Sequence, residues 1–399
     1  MKQAIIVLAI ILALLLVTAG LLWTGVIGPE TASTESSVQT EPIETTKPTE
    51  TEPTQPSTET EPPTEPEPEL IANEWRFVLD GVSLETWLVD GEGEALVSAS
   101  DFVSAAGLDE VGAAWPEDRA RISFDGEIFT LDGASHGRSL SDGLYLPLLE
   151  IAETMGYPIW EDSSYSTTYI SPSARAFEIP EDVNIPVLMY HAVSDDLWGI
   201  GELFVSPSDM EAQLKYLTDN GYDCIWFEDI AHIEDYDKPV ILTFDDGYDD
   251  NYTELYPLLQ KYQVKVTIFV IANAPGRSHK MTAEQIRELA DSGLVSIQSH
   301  GYTHGDMDVM DEANLEYELG SSQKEITRIT GRIPNVICFP TGKYSDLTLE
   351  IARKYYCFGL KMVGGQYNTS DDPMLVNRYY ISRYTDIYTF AAYVSAAGT

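Results

Sequence analysis

The stretch PVILTFDDGYDDNY, residues 239–252, starts as an apolar run with strand composition and breaks into two adjacent carboxylates and a glycine. Asp-Gly after a β run is a turn signal in its own right, because glycine accepts positive φ and Asp bonds its own nearby backbone. A turn alone gives no reason to crowd two like charges at Asp245 and Asp246. The rest of the chain decides between a turn and a site.

Beyond Pro180 the same pattern recurs. PVLMY (186–190), DCIWF (223–227), PVILTF (239–244), VKVTIFVI (264–271), LVSIQ (294–298) and NVICF (335–339) predict buried strands. Capping boxes at Ser208 to Glu211 and Thr282 to Gln285 predict helices that end at Gly221 and Gly293. Strands alternating with helices predict a parallel sheet, in a barrel or a doubly wound α/β fold. In such folds, side chains from different strands converge at the C-terminal strand ends. His191 follows PVLMY, Asp245 and Asp246 follow PVILTF, His300 and His304 follow LVSIQS, and Pro340 to Lys343 follow NVICF.

HGYTH, residues 300–304, carries two imidazoles at the spacing of the zincin HExxH helix, but Gly301, Tyr302 and Thr303 are poor helix formers and no Glu is present. The two histidines are therefore expected on a loop. Two His and one carboxylate leave positions open for water on a divalent metal such as zinc. Successive side chains at a strand end point apart, so one Asp of the pair can bind the metal while the other faces the bound water. A metal lowers the pKa of that water, and a free carboxylate in reach can accept its proton. The chemistry expected is amide or ester hydrolysis.

TFDDG together with HGYTH resembles the first two motifs of the polysaccharide deacetylases, the NodB-homology domains of carbohydrate esterase family 4. The resemblance covers about residues 186–394 and implies a distorted (β/α) barrel of the NodB type. It implies Asp245 as general base, and Asp246, His300 and His304 as ligands of a divalent metal, zinc by preference. IPVLMYH and FPTGKYS look most like the subgroup acting on poly-β-1,6-N-acetylglucosamine, and put Thr341, Lys343 and Tyr344 on the oxyanion and substrate side. Three departures stand out. Gly301 follows the first His where the family has Ser or Thr. Cys338 stands where the third motif begins with an Arg that orients the base, and Arg378 is the nearest replacement. No His follows His304, so His191 on the same rim is the candidate general acid. Deacetylation of an N-acetylated wall or surface polysaccharide is the function expected. A non-catalytic glycan-binding or wall-organising protein and an O-acetyl esterase are the alternatives.

The remaining chain sets the context. Residues 4–28 carry no charge and are long enough to cross a membrane, with Lys2 before them and the next basic residue at Lys47. A retained anchor with the folded parts outside a bacterial cell is expected. The alternative is a signal cleaved after Val17-Thr18-Ala19. Residues 29–72 are a Thr, Glu and Pro-rich tether, with eleven Glu and one Lys up to Leu70. The whole chain has a net charge of −42, which excludes nucleic acid as a partner. A monomer is expected.

Residues 73–174 predict a small α+β domain of two units, with Leu96-Val97, Phe102 and Gly107 echoed at Tyr145-Leu146, Ile151 and Gly156, an offset of 49 residues. It resembles the copper amine oxidase N-terminal-like domain. With His136 as its one histidine it has no ligand set for copper, and Trp115 and Trp160 read as core anchors. Residues 180–399 are the catalytic domain in this reading. Cys224, Cys338 and Cys357 read as buried core thiols.

Overall fold

A computed structural model describes residues 69–70, 75–84, 87–89, 95–106, 119–124, 127–132, 138–140, 143–362 and 364–395. Its centre is an eight-stranded sheet made of β1 (Val187–Tyr190), β2 (Asp223–Cys224), β3 (Pro239–Phe244), β4 (Val266–Val270), β5 (Val295–Ser299), β6 (Val336–Cys338), β7 (Phe358–Leu360) and β8 (Tyr379–Tyr380). The order is β7-β6-β5-β4-β3-β1-β8, with β2 paired to β3 and every pairing parallel. A bridge between Leu360 and Val376 ties β7 to the chain just ahead of β8, so the sheet curls towards closure.

Parallel strands covered on both faces need apolar residues on both, and all four residues of β1 are buried. Val240, Leu242 and Phe244 pack outward in a cluster that includes Leu214 and Leu217 of α1 (Pro207–Asp219), Leu259 of α2 (Tyr256–Tyr262) and Leu289 of α3 (Ala283–Asp291). Ile241 packs inward with Ile225, Phe227, Phe269, Val336 and Cys338. The period of two that sends Ile241 and Thr243 inward also aims Asp245 into the barrel mouth. Three further helices follow, α4 (Glu312–Thr330), α5 (Asp346–Ala352) and α6 (Ile387–Ser395).

Several sequence expectations need correction. DCIWF forms only the two paired residues of β2, because Asp229 accepts the Trp226 main-chain N–H at 2.8 Å and turns the chain into the 3-10 segment Glu228–Asp235. The first helix opens earlier than Ser208. Its N-cap is Ser206, which accepts from the Asp209 N–H, and Pro207 supplies a first helical residue with preset φ. The box at Thr282 and Gln285 is present on α3. Strands β7 and β8, of three and two residues, were too short to show a period.

Ahead of the barrel, Ala95–Ser98 leads straight into helix Ala99–Ala105, and Gly143–Pro147 into helix Leu148–Thr154. The two repeat strands pair antiparallel, Val97 opposite Leu146, and Phe102 and Ile151 are both fully buried in one cluster. A second sheet, ordered Ile159–Asp162, Thr167–Ile170, Arg76–Leu79 and Val82–Ser83, lies beside it in sequence. Trp160 is not a core anchor. It is half-buried, stacked on Tyr169 at 5.3 Å with the Arg328 guanidinium 5.3 Å from its ring, because Arg328 of α4 reaches over to bond Asp162 at 2.6 Å.

Thr64–Thr399 forms one compact unit. Its inner seam is backbone as well as side chain: Gly81 N donates to Gly331 O at 3.1 Å and Ile333 N to Ser171 Oγ at 2.7 Å. Gly331 caps α4 at φ 76°, and a Cβ there would stand 2.6 Å from Gly81 Cα. Glycine serves both demands. The 4–28 segment, residues 29–68 of the tether, Trp115 and His136 lie outside the described residues, while Glu69–Leu70, expected as tether, pair antiparallel with Leu88 and Val89. Among the described residues, no helix is long and apolar enough to cross a membrane.

Candidate active site

The end of β3 divides its two carboxylates. Asp245 is buried, its N–H donating to Tyr190 O at 2.9 Å across the pair with β1. Both of its oxygens accept from Arg378, Nη1 to Oδ1 and Nη2 to Oδ2, each at 2.8 Å. Arg378 is fully buried, and also donates to Thr243 Oγ1 at 3.0 Å and to the Lys361 carbonyl at 3.1 Å. Burial alone pushes the Asp245 pKa up, but the Arg378 charge and hydrogen bonds more than reverse it and the net shift is downward. Arg378 enters from the residue just before β8, and its pKa is raised in turn because the Asp245 charge outweighs burial.

Asp246 turns the other way. Its φ of 76° and that of Gly247, 63°, bend the chain out of the strand, and Lys280 Nζ holds the Asp246 carbonyl at 2.8 Å. Its Oδ1 lies 3.6 Å from His300 Nε2 and 3.4 Å from His304 Nε2. Burial opposes ionisation here too, yet Lys280, His300 and His304 hold the carboxyl well below the usual range. His300 follows β5, and its ring Nδ1 stands 2.8 Å from the Cys338 carbonyl. A carbonyl only accepts, so Nδ1 carries the hydrogen and the Nε2 lone pair faces Asp246. Burial, then His304, lowers the His300 pKa to about 4 and keeps the ring neutral.

These separations exceed hydrogen-bond lengths. Two donors on one tetrahedral zinc, with bonds near 2.0–2.1 Å, stand about 3.3 Å apart. Asp246, His300 and His304 therefore fit a shared divalent ion, and their donor atoms all lie within 4.8 Å of one another. Asp245, His300 and Cys338 also meet that distance, but Arg378 already bonds both Asp245 oxygens and lies 3.1 Å from Cys338 Sγ. The first trio is the ligand set the chemistry supports.

His191, buried at the end of β1, points Nε2 at Asp245 Oδ2 from 3.9 Å, and its Nδ1 is sealed with no partner. Burial lowers its pKa, against the pull of Asp245. The strand-to-loop turn that places it is held by residues given no role from sequence: Asn251 Nδ2 donates to the His191 carbonyl at 3.0 Å, and Asp250 Oδ1 accepts from Val193 N at 2.9 Å. Both belong to the same TFDDGYDDNY run.

Thr341, half-buried just beyond β6, has the left-handed φ of 55°, and its hydroxyl donates to Asp306 at 3.3 Å. Lys343 Nζ pairs with the other oxygen of Asp306 at 2.5 Å. The Tyr344 ring packs 5.4 Å from Phe339. Asp306 was not singled out by any motif. Cys338 packs in the core as expected, yet it also sits 3.5 Å from Asp245 Oδ2, while Cys224 and Cys357 are half-buried; all three are free thiols.

The polysaccharide deacetylase family model matches residues 232–358. YxkH of Bacillus subtilis, whose name assigns it to the polysaccharide deacetylases, is 32% identical over 218 residues, covering 53% of this chain and 76% of its own. The poly-β-1,6-N-acetyl-D-glucosamine N-deacetylase of Escherichia coli K12 is 28% identical over 162 residues, 35% of this chain and 24% of that enzyme. Among solved structures, a polysaccharide deacetylase from Bacillus cereus matches with a TM-score of 0.52 and 29% identity, over 67% of this chain and 76% of that one.

Proposed function

The chain belongs to the polysaccharide deacetylase family, a family of hydrolases, and from that premise we propose that it removes N-acetyl groups from a surface glycan of poly-N-acetylglucosamine or peptidoglycan type. The observation that carries this reading is the split of the Asp pair, Asp245 onto Arg378 and Asp246 onto the two histidines. Asp246, His300 and His304 would hold a zinc-class ion, which when bound would acidify a water and stabilise charge on the acyl oxygen. Asp245, fixed by Arg378 and kept ionised, takes the proton of the attacking water. His191, on the same rim, returns a proton to the departing amine, so that acetate and a free glycan amine are the products. The Thr341 main-chain N–H serves the oxyanion, a task independent of its side chain.

Lys343 and Tyr344 border the site on the substrate side. Residues 4–28 tether the folded parts at the outer face of the membrane, with the Thr, Glu and Pro-rich segment as spacer. The test is acetate release from N-acetylglucosamine polymers of β-1,6 and β-1,4 linkage, beside an O-acetylated wall polymer. Release from an N-acetyl polymer that disappears in the His300→Ala, His304→Ala double variant is the expected result. Turnover of the O-acetyl polymer alone would make the enzyme an esterase.

A further inference from the structure

HGYTH is an unpromising loop on which to build a metal site. Gly301 has φ 75° and His304 φ 65°, so the segment between the two histidines enters and leaves through left-handed backbone. Residues in that region hold their geometry only where neighbours fix them. A side chain at position 301 would be strained by that φ and crowded: a Cβ on Gly301 would meet Met307 Cε at 3.0 Å and the side chains of Glu318 and Pro340 at 3.4 Å.

Helix α4 meets that loop with two side chains one turn apart. Ser322 Oγ lies 2.7 Å from Ser299 Oγ, which itself accepts from Gly301 N at 3.2 Å. Glu318 accepts at one carboxylate oxygen, Oε2, from Tyr302 N at 2.8 Å and Thr303 N at 2.9 Å, and at Oε1 from the Thr303 hydroxyl. Glu318 is 3% exposed, on the buried side of α4. A buried carboxylate whose two oxygens take three donors from consecutive residues fixes their orientation as a unit. Those residues are the ones lying between His300 and His304.

We infer that Glu318 is a positioning residue for the metal ligands. The inference rests on the reading of Asp246, His300 and His304 as ligands. Glu318 touches neither substrate nor reacting atoms. It acts by setting His304, the half-exposed ligand, against Asp246.

The test is a zinc affinity titration of the full chain against a competing chelator, with the melting temperature of each zinc-free variant measured alongside. Loss of a residue that orients metal ligands typically weakens affinity 10- to 100-fold. Glu318→Ala is expected to raise the zinc Kd by about that much. Glu318→Gln should recover most of the affinity, because its amide oxygen can accept the two N–H groups and its NH₂ can donate to the Thr303 hydroxyl. Thr303→Val, which keeps both main-chain bonds, should raise the Kd less than Glu318→Ala. A folded Glu318→Ala protein with the wild-type Kd overturns the inference. If that variant does not fold, an unchanged Kd in Thr303→Val overturns it instead. His304→Ala separates the two readings: zinc lost there but kept in Glu318→Ala leaves the ligand set standing and removes the brace, whereas zinc kept in His304→Ala removes the ligand set itself.

Discussion

Two carboxylates on the inner side of one curled sheet, Asp245 and Glu228, have opposite environments. Asp245 at the C-terminal rim is clamped by the two nitrogens of Arg378, and its pKa goes down despite burial. Glu228, in the turn after β2, has Oε1 bonded by Gln298 Nε2 at 3.0 Å and its sealed Oε2 bonded by nothing. Burial raises its pKa to about 7. Desolvation acts on both. What differs is whether the fold supplies a cation, and it does so where the proposed chemistry needs a charge. Near Glu228 the surrounding charges include Asp229 and Asp80, both of which push its pKa further up.

Arg378→Ala is the sharpest way to break this comparison. It leaves Asp245 buried without its cation, a class of change that costs about 3–5 kcal/mol. Denaturant unfolding should show that loss, and acetate release should fall with it. Arg378→Lys should not restore the two-point clamp, since an ammonium is a single point charge. Removing the proposed general acid, His191→Ala, should lower acetate release about 10²-fold or more while leaving zinc stoichiometry intact. A simultaneous loss of zinc would put His191 among the ligands.

Glu228→Gln tests the other side with the opposite sign. The folded pKa of Glu228, about 7, lies above its ordinary 4.5, so its contribution to stability is fully present below 4.5 and is lost as pH rises through 7. The wild-type melting temperature should fall between about pH 4.5 and 7 at this group's expense, where the unfolded chain has released the proton and the folded one still holds it, and level off above. Glu228→Gln should flatten that slope and be the more stable protein at the alkaline end. Equal slopes would mean Glu228 is ionised in the fold and the contrast with Asp245 is lost. Arg328→Ala, which strips the buried Asp162 carboxylate of a part-exposed partner at the seam, should cost about 1–3 kcal/mol, less than Arg378→Ala, read in the same melts.

The rim was legible because each of its main groups follows an apolar run long enough to read as a strand: His191 after PVLMY, Asp245 and Asp246 after PVILTF, His300 after LVSIQS. Arg378 could be named only as a spare cation, because β8 has two residues and no period. Glu318 and Asp306 carried no signal at all. A Glu in an amphipathic helix is ordinarily a solvated face, and only the fold turns this one towards the HGYTH loop. Trp160 misled for a related reason, since an aromatic in a strand reads as core until a neighbouring helix brings Arg328 over it. Ser208 did the same at a helix start, where Pro207 moved the cap to Ser206.

The central claim is that neighbouring carboxylates of TFDDG do different work. Zinc stoichiometry measured beside acetate release, for Asp245→Asn and Asp246→Asn on the same N-acetylglucosamine polymer, tests it most directly. Asp245→Asn should keep zinc near the wild-type ratio while acetate release drops by about 10²- to 10⁴-fold, the range for losing a general base. Asp246→Asn should lose both. Equal loss of zinc in the two variants would contradict the division, and with it the assignment of Asp245 as the base.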